Sequence, residues 1–293
     1  MDPVQSAADL ADRLGKTGYL CDEALATIGF LAVRMQRPLL LEGEPGTGKT
    51  ALAEALALAQ DVPLIRLQCY EGIDASQALY DWDFPRQILH LRALEASQHS
   101  LDATEAEHSL FDERFLLARP VLRALQESPA VLLVDEIDRA DDEFEAFLLE
   151  VLSTYQVTIP ELGTVSAQQP PFVVLTSNRT REIHDALKRR CLYHWIEHPD
   201  LRREVEIVRV RAPEVSEALA EQVVAVVQQL RNGVDLLKPP GVAETLDWAR
   251  ALEELGVRQL DLEVAAATLG TIVKYREDAE RVRKSLDRML APA

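Results

Sequence analysis

Short, uninterrupted apolar runs recur through the first two thirds of the chain: Pro38-Leu39-Leu40-Leu41, Ala130-Val131-Leu132-Leu133-Val134 and Pro171-Phe172-Val173-Val174-Leu175-Thr176. Runs of this length, with no polar alternation, are expected of strands covered on both faces of a parallel sheet. Val62-Pro63-Leu64-Ile65-Arg66-Leu67 is a further candidate strand. Helical periodicity lies between them. Leu25, Ile28, Phe30, Leu31 and Met35 share near-helical spacing over residues 23–36, Pro38 ends that stretch, and a second helix is expected over about 50–59. Strand and helix therefore alternate, which predicts an α/β fold around a parallel sheet. The segments Tyr155-Gln156-Val157-Thr158-Ile159-Pro160 and Thr164-Val165-Ser166-Ala167 flank Glu161-Leu162-Gly163 and predict a hairpin, at about 155–170. Residues 182–187 are helix-like, followed by the basic triplet Lys188-Arg189-Arg190. Leu192 to His198 alternate as a half-buried strand does.

Beyond Pro199 the strand signal stops. Three helical stretches are expected, roughly 201–232, 242–255 and 260–289, punctuated by Pro239-Pro240-Gly241 and Gly256. The expected division is an α/β domain over 1–199 and a small helical domain over 200–293. A polar segment at about 73–111 reads as an insertion into the first domain, partly helical, and it ends in the acidic run Asp102 to Glu107. Its aromatics Tyr80, Trp82 and Phe84 fit an interaction surface and packing onto the parent domain equally well.

Composition narrows the functional classes. Among 293 residues, 49 are acidic and 31 basic, a formal charge of -18, so a broad phosphate-binding surface and a nucleic-acid partner are not expected, although a local basic patch is compatible with the total. No uncharged apolar run approaches the roughly 18 residues that would span a bilayer. Met1-Asp2-Pro3 does not resemble the basic start of a secretion signal. The expectation is a soluble cytoplasmic chain without a membrane partner. Cys21, Cys69 and Cys191 are odd in number and widely spaced, unlike a disulfide framework. Cys191, His194 and His198 have C-x2-H-x3-H spacing, but no second ligand pair matches it, so the strand reading is preferred to a zinc site.

The chemistry is concentrated at strand ends. Gly43-Glu44-Pro45-Gly46-Thr47-Gly48-Lys49-Thr50 matches G-x-x-x-x-G-K-[ST] between an expected strand and an expected helix. Glycines let the backbone NH groups approach phosphate oxygens at the positive end of the helix. Lys49 is expected to reach the β and γ phosphates of ATP and Thr50 to offer its hydroxyl to Mg²⁺. Asp135-Glu136 closes the strand of residues 130–134. Asp135 is expected to hold Mg²⁺ directly or through its water shell, and Glu136 to orient and deprotonate the attacking water. Asn178, at the tip of the next strand, offers a donor and an acceptor for that water or the γ phosphate. Arg190, with Arg189 as second choice, is the candidate arginine finger contributed to a neighbouring subunit. The same triplet also reads as a solvated helix end, and oligomerisation decides between the two.

Taken together, the phosphate loop, Val134-Asp135-Glu136-Ile137-Asp138-Arg139-Ala140, the asparagine and the helical lid resemble the AAA+ ATPases over nearly the whole chain. The hairpin and the insertion are similar to the MoxR branch. Three longer strings resemble CoxD-type ATPases of carbon monoxide dehydrogenase maturation: Gln68-Cys69-Tyr70-Glu71-Gly72, Arg139-Ala140-Asp141-Asp142-Glu143-Phe144-Glu145-Ala146-Phe147 and Lys188-Arg189-Arg190-Cys191-Leu192-Tyr193-His194-Trp195. That resemblance implies a hexameric ring that acts with a von Willebrand factor A domain protein to mature a metalloenzyme client, a molybdenum hydroxylase. It carries Glu136, Asn178 and Arg190 over by position. One element departs from it. Where related lids place a sensor arginine early in their second helix, this chain has Val242-Ala243-Glu244-Thr245, with Arg250 and Arg258 as substitutes. A nucleotide-gated protein-binding scaffold, which would tolerate loss of Glu136 or Arg190, and a nucleic-acid motor are the alternative functions; the hydrolytic residues and the acidic charge weigh against them.

Overall fold

The computed structural model describes residues 4–96 and 110–290. The start Met1-Asp2-Pro3 and the acidic run 102–107 lie outside the described residues. Five strands form the central sheet in the order β2 (Leu64–Gln68), β5 (Val131–Asp135), β8 (Phe172–Ser177), β1 (Leu39–Gly43), β9 (Leu192–Ile196). The first four pair in parallel. Strands β1 and β5 are buried along their whole length and β8 along all but its first residue, as their continuous apolar sequences demand. The edge strands β2 and β9 instead alternate buried with more exposed positions. The parallel sheet flanked by helices, with a helical C-terminal region, is the expected α/β architecture.

Helices α1 (Ala7–Lys16), α2 (Glu23–Met35) and α3 (Lys49–Gln60) precede β2. The sequence reading names no element before residue 23, and α1 occupies part of that stretch. Its apolar positions, Leu10 and Leu14, are few and lie among charges, yet both are 1% exposed. The described part of the insertion is partly helical, as expected, and carries a strand as well. Helix α4 (Ala75–Leu79) leads into β3 (Tyr80–Trp82), α5 (Phe84–Ala96) follows, and β3 pairs antiparallel with β4 (Leu116–Ala118). Each strand is three residues long, below what periodicity resolves. Tyr80 and Trp82 pack against the core and meet each other edge-on, as Trp82 meets Phe111 with ring centroids 5.3 Å apart, while Phe84 is exposed. Two of the three aromatics therefore belong to packing.

Helix α6 (Pro120–Gln126) precedes β5. Helix α7 (Asp142–Thr154) starts where Asp141 accepts from the Phe144 amide at 2.9 Å. The hairpin has its expected place: β6 (Gln156–Ile159) and β7 (Gly163–Ser166) pair antiparallel, with Leu162 partly exposed at the turn. The expected helix at 182–187 is shifted. Helix α8 spans Asp185–Arg190, capped by His184, so Lys188, Arg189 and Arg190 form its last turn rather than following it. Glu145 on α7 causes the delay, because it bonds the Arg181 guanidinium and accepts the His184 amide, holding residues 181–184 out of helical geometry.

By contacts the chain forms two compact units: Met1–Leu10, Glu23–Glu42 and Ala53–His194, and separately Ala11–Asp22, Gly43–Leu52 and Trp195–Ala293. In the second, the expected helix 201–232 is two, α9 (Leu201–Arg211) and α10 (Glu217–Gly233), because Pro213 cannot continue the first and Ser216 caps the second. Helix α11 (Val242–Glu254) follows. The stretch at 260–289 divides into α12 (Leu262–Thr268), a 3₁₀ turn at Leu269–Thr271 and α13 (Arg276–Met289). The core of this unit holds Trp248, Val223, Leu252 and Val282, all at 0% exposure, and the Trp248 indole donates to Thr268 Oγ1 at 2.8 Å.

A buried polar knot lies beside that core. Arg231 bonds both oxygens of Glu204 at 2.6 and 2.8 Å, Thr245 Oγ1 and Gln228 donate to the same carboxylate, and Arg231 Nε donates to the Pro240 carbonyl at 2.6 Å. Removing the cation would leave the fully buried Glu204 carboxylate without a counter-charge. Arg231→Ala is expected to lower stability by about 3–5 kcal/mol, whereas exchange of Arg231 and Glu204 together for apolar residues costs much less. Urea denaturation of both variants checks this, and equal losses would show that the pair is not what matters.

Candidate functional site

Strands β1, β5 and β8 run in parallel, so their carboxyl ends share one edge of the sheet. On that edge Glu42 is opposite Ser177. Asp135, 3% exposed, donates nothing as a carboxylate and accepts from Thr176 Oγ1 at 2.5 Å. The same Thr176 oxygen accepts the Glu136 amide at 2.9 Å. One hydroxyl on β8 thus fixes both acidic residues. Glu136 sits in the left-handed region, with φ 56, which turns the chain sharply after the strand. Its Oε1 lies 3.4 Å from Asn178 Nδ2, and its Oε2 accepts from Gln68 Nε2 at 3.1 Å and from Arg139 Nε at 2.9 Å. Asp138 accepts the amides of Asn178 and Thr180 at 3.2 and 2.8 Å, which sets the turn carrying Asn178. The expected residues Asp135, Glu136 and Asn178 are therefore brought together. Thr176, Gln68 and Asp138 join them beyond the expected set; their signal in the sequence is a polar residue at or just beyond a strand's carboxyl end.

Glu42, buried at the end of β1, accepts from the Tyr193 hydroxyl at 3.1 Å and lies 3.7 Å from Arg179. Arg189 and Arg190 have exposed side chains, but Arg37 pins their backbone: its guanidinium donates to the carbonyls of Arg189, Arg190 and Cys191 at 2.7, 3.1 and 3.2 Å. Burial pushes the Cys69 and Cys191 thiols up to about 12, so both stay protonated at neutral pH.

The loop Gly43 to Thr50, taken by itself, is a cradle lined by backbone. A Cβ on Gly43 would meet the Ile196 carbonyl oxygen. Gly46 has φ 79, and a Cβ there would come 2.8 Å from the Cα of Gly241. The Val242 amide donates to the Gly46 carbonyl at 2.9 Å, so the start of α11 rests on the loop backbone. Lys49 Nζ donates to the carbonyls of Gly43 and Glu44 at 2.8 and 2.7 Å, and Thr47 Oγ1 donates to Glu44 at 2.9 Å. Gly48, Pro45 and Thr50 complete the loop and the first turn of α3. Glycine at the closest approaches and an ammonium folded over the loop carbonyls suit the phosphates of a nucleotide. Glu244 accepts the Gly241 amide at 2.9 Å. The substitute cations are engaged within the helical unit: Arg250 bonds the Arg211 carbonyl and lies 3.5 Å from Glu214, and Arg258 lies 3.5 Å from Glu253.

The parallel sheet, the glycine-rich loop between β1 and α3 and the acidic end of β5 define a P-loop nucleoside triphosphatase fold with a helical C-terminal region. Residues 39–197 match the model of the ATPase family associated with various cellular activities, AAA, and the chain belongs to that family. An uncharacterized protein of Staphylococcus haemolyticus is 24% identical over 271 residues, covering 90% of this chain and 94% of its own. One of Staphylococcus epidermidis is 24% identical over 259 residues, with 86% and 89% covered. Among solved structures, the RuvB Holliday junction branch migration motor of Thermotoga maritima superimposes with a TM-score of 0.45 at 17% identity, covering 92% of this chain and 72% of that one. No helix among the described residues is long and apolar enough to cross a membrane.

His198 lies against the loop, its Nε2 at 3.2 Å from Glu44. Its pKa is lowered first by burial and then by the Arg231 charge, against the opposing pull of Glu44. The folded state therefore favours the neutral ring. Below the ordinary histidine value of about 6.5 the unfolded chain takes up the proton more readily, so stability falls as the pH drops through that value toward the folded pKa. Denaturant melts between pH 7.5 and 5.5 should show this slope, and His198→Gln should flatten it. An unchanged slope in the variant would assign the effect to other groups.

Proposed function

We propose that this chain is a MoxR-type AAA+ ATPase, nearest the CoxD type, that couples ATP hydrolysis to remodelling or maturation of a metal-cofactor enzyme. The observation that carries the hydrolytic part is the strand end Asp135-Glu136, with one carboxylate buried under Thr176 and the next turned by left-handed backbone toward Asn178. In this reading the amides of Gly43 to Gly48 bind the phosphates and Lys49 leaves the loop carbonyls for the β and γ oxygens. Thr50 and Asp135 would hold Mg²⁺, which would supply charge neutralisation at the phosphates. Glu136 takes the proton of the attacking water as its oxygen bonds to the γ phosphorus; the bond to the bridging oxygen breaks, releasing ADP. Asn178 orients that water. The domain division at 1–199 and 200–293 belongs to the same reading.

Arg190, or Arg189, completes the site of a neighbouring subunit in a hexameric ring. Support comes from the pinned backbone and exposed side chains at the end of α8, an arrangement suited to presenting a cation outward. A von Willebrand factor A domain protein as partner and a molybdenum hydroxylase as client rest on the sequence strings that resemble CoxD. The alternative of a nucleic-acid motor is tested by a salt-dependent DNA shift, which the charge of -18 predicts to be negative.

Lys49→Ala is expected to abolish ATP binding, and Glu136→Gln to retain ATP while hydrolysis falls by two or more orders of magnitude, in the range of lost general-base catalysis, about 10²–10⁴-fold. Fluorescent-nucleotide titration and phosphate release separate the two. Light scattering of Glu136→Gln with ATP should report a closed ring, and turnover by a strictly monomeric species would exclude a finger in trans.

Client contact is expected at the exposed apolar residues of the hairpin and insertion. Leu162→Asp and Phe84→Ala should leave basal ATPase intact and reduce both partner stimulation and client maturation in co-expressing cells. Full client activation by both variants would remove these elements from the contact surface.

A further inference from the structure

The exposed face of β2 connects the two strand-end carboxylates. Arg66 Nη2 lies 2.6 Å from Asp135 Oδ2, and the same nitrogen donates to Gln68 Oε1 at 2.6 Å. Accepting through Oε1 orients the Gln68 amide, so that its Nε2 donates to Glu136 Oε2 at 3.1 Å. An unbroken chain of contacts therefore runs from Asp135 through Arg66 and Gln68 to Glu136. The Arg66 side chain is 51% exposed whereas that of Asp135 is 5% exposed, so the guanidinium stands on the solvent side of a buried anion. The other Asp135 oxygen is already held by Thr176. A divalent cation seeking Oδ2 meets a like charge that cannot share the position.

We infer that Arg66 is the resident counter-cation of Asp135, that a divalent metal must displace it, and that its departure loosens the hold of Gln68 on Glu136. The inference rests on the reading of Asp135 as the Mg²⁺ carboxylate. Arg66 is a positioning residue in this scheme. While it stays, Asp135 is neutralised and Glu136 Oε2 is occupied by Gln68 and Arg139. When it leaves, the Gln68 amide loses the donor that orients it. Metal arrival and release of the base are thereby linked, so ATP bound without metal meets a restrained Glu136.

The test uses Mn²⁺ as the probe, with free Mn²⁺ measured by electron paramagnetic resonance in the presence of ADP. Arg66→Ala, and Arg66→Gln as a second variant, are expected to bind Mn²⁺ with a severalfold lower dissociation constant, and Arg66→Lys to stay near the parent value. The Mg²⁺ concentration for half-maximal ATPase should fall in the same order. Asp135→Asn distinguishes the two levels of the claim. If it leaves Mn²⁺ affinity unchanged, Asp135 is not the metal carboxylate and the underlying reading fails. If it weakens Mn²⁺ binding while Arg66→Ala and Arg66→Gln bind no tighter than the parent, the counter-cation inference alone is overturned.

Discussion

Burying strands on both faces of a sheet forbids polar side chains along their length, and that constraint organises everything else in the first unit. Strands β1, β5 and β8 pair with their neighbours in the sheet and are buried along their length but for the first residue of β8. Polar chemistry is displaced to the carboxyl ends, and parallel pairing brings those ends to one edge. Glu42 beside Ser177, and Asp135 beside Thr176, follow from register rather than from any local preference.

Carboxylates placed at such an edge are costly unless each has a partner. Each buried acid in this region has one. Glu42 is bonded by Tyr193 near Arg179, Asp135 by Thr176 and Arg66, Asp138 by two amides and the Thr180 hydroxyl, and Glu145 by Arg181 and the His184 amide. These bonds also shape the connecting segments. Asp138 sets the turn at 178–180 and Glu145 delays the start of α8, so the electrostatic compensation of buried acids and the placing of Asn178 and Arg190 share one cause.

The helical unit applies a different constraint to the phosphate loop. Gly46 and Gly241 approach so closely that a methyl group on either would collide with the other's Cα, and the Val242 amide seals the contact. The knot of Glu204, Arg231 and Thr245 lies just behind, with Arg231 holding the Pro240 carbonyl. The start of α11 therefore meets the loop through backbone atoms.

Fold class, buried strands and phosphate loop were legible along the chain, because continuous apolar runs and a glycine-lysine signature are local consequences of burial and backbone geometry. The sequence also marked Asp135, Glu136 and Asn178, which stand at the ends of runs it could delimit. Short or weakly apolar elements escaped it: α1, the β3–β4 pair and the breaks at Pro213 and after Thr268 are set by packing or by single caps. Folding alone reveals that Thr176 serves both acids, that Arg37 pins the chain at Arg190, that Gly241 meets Gly46 and that Arg66 stands on Asp135. Each joins residues distant in the chain, and a pairing across strands or helices depends on register and close approach, which no periodicity along a single chain encodes.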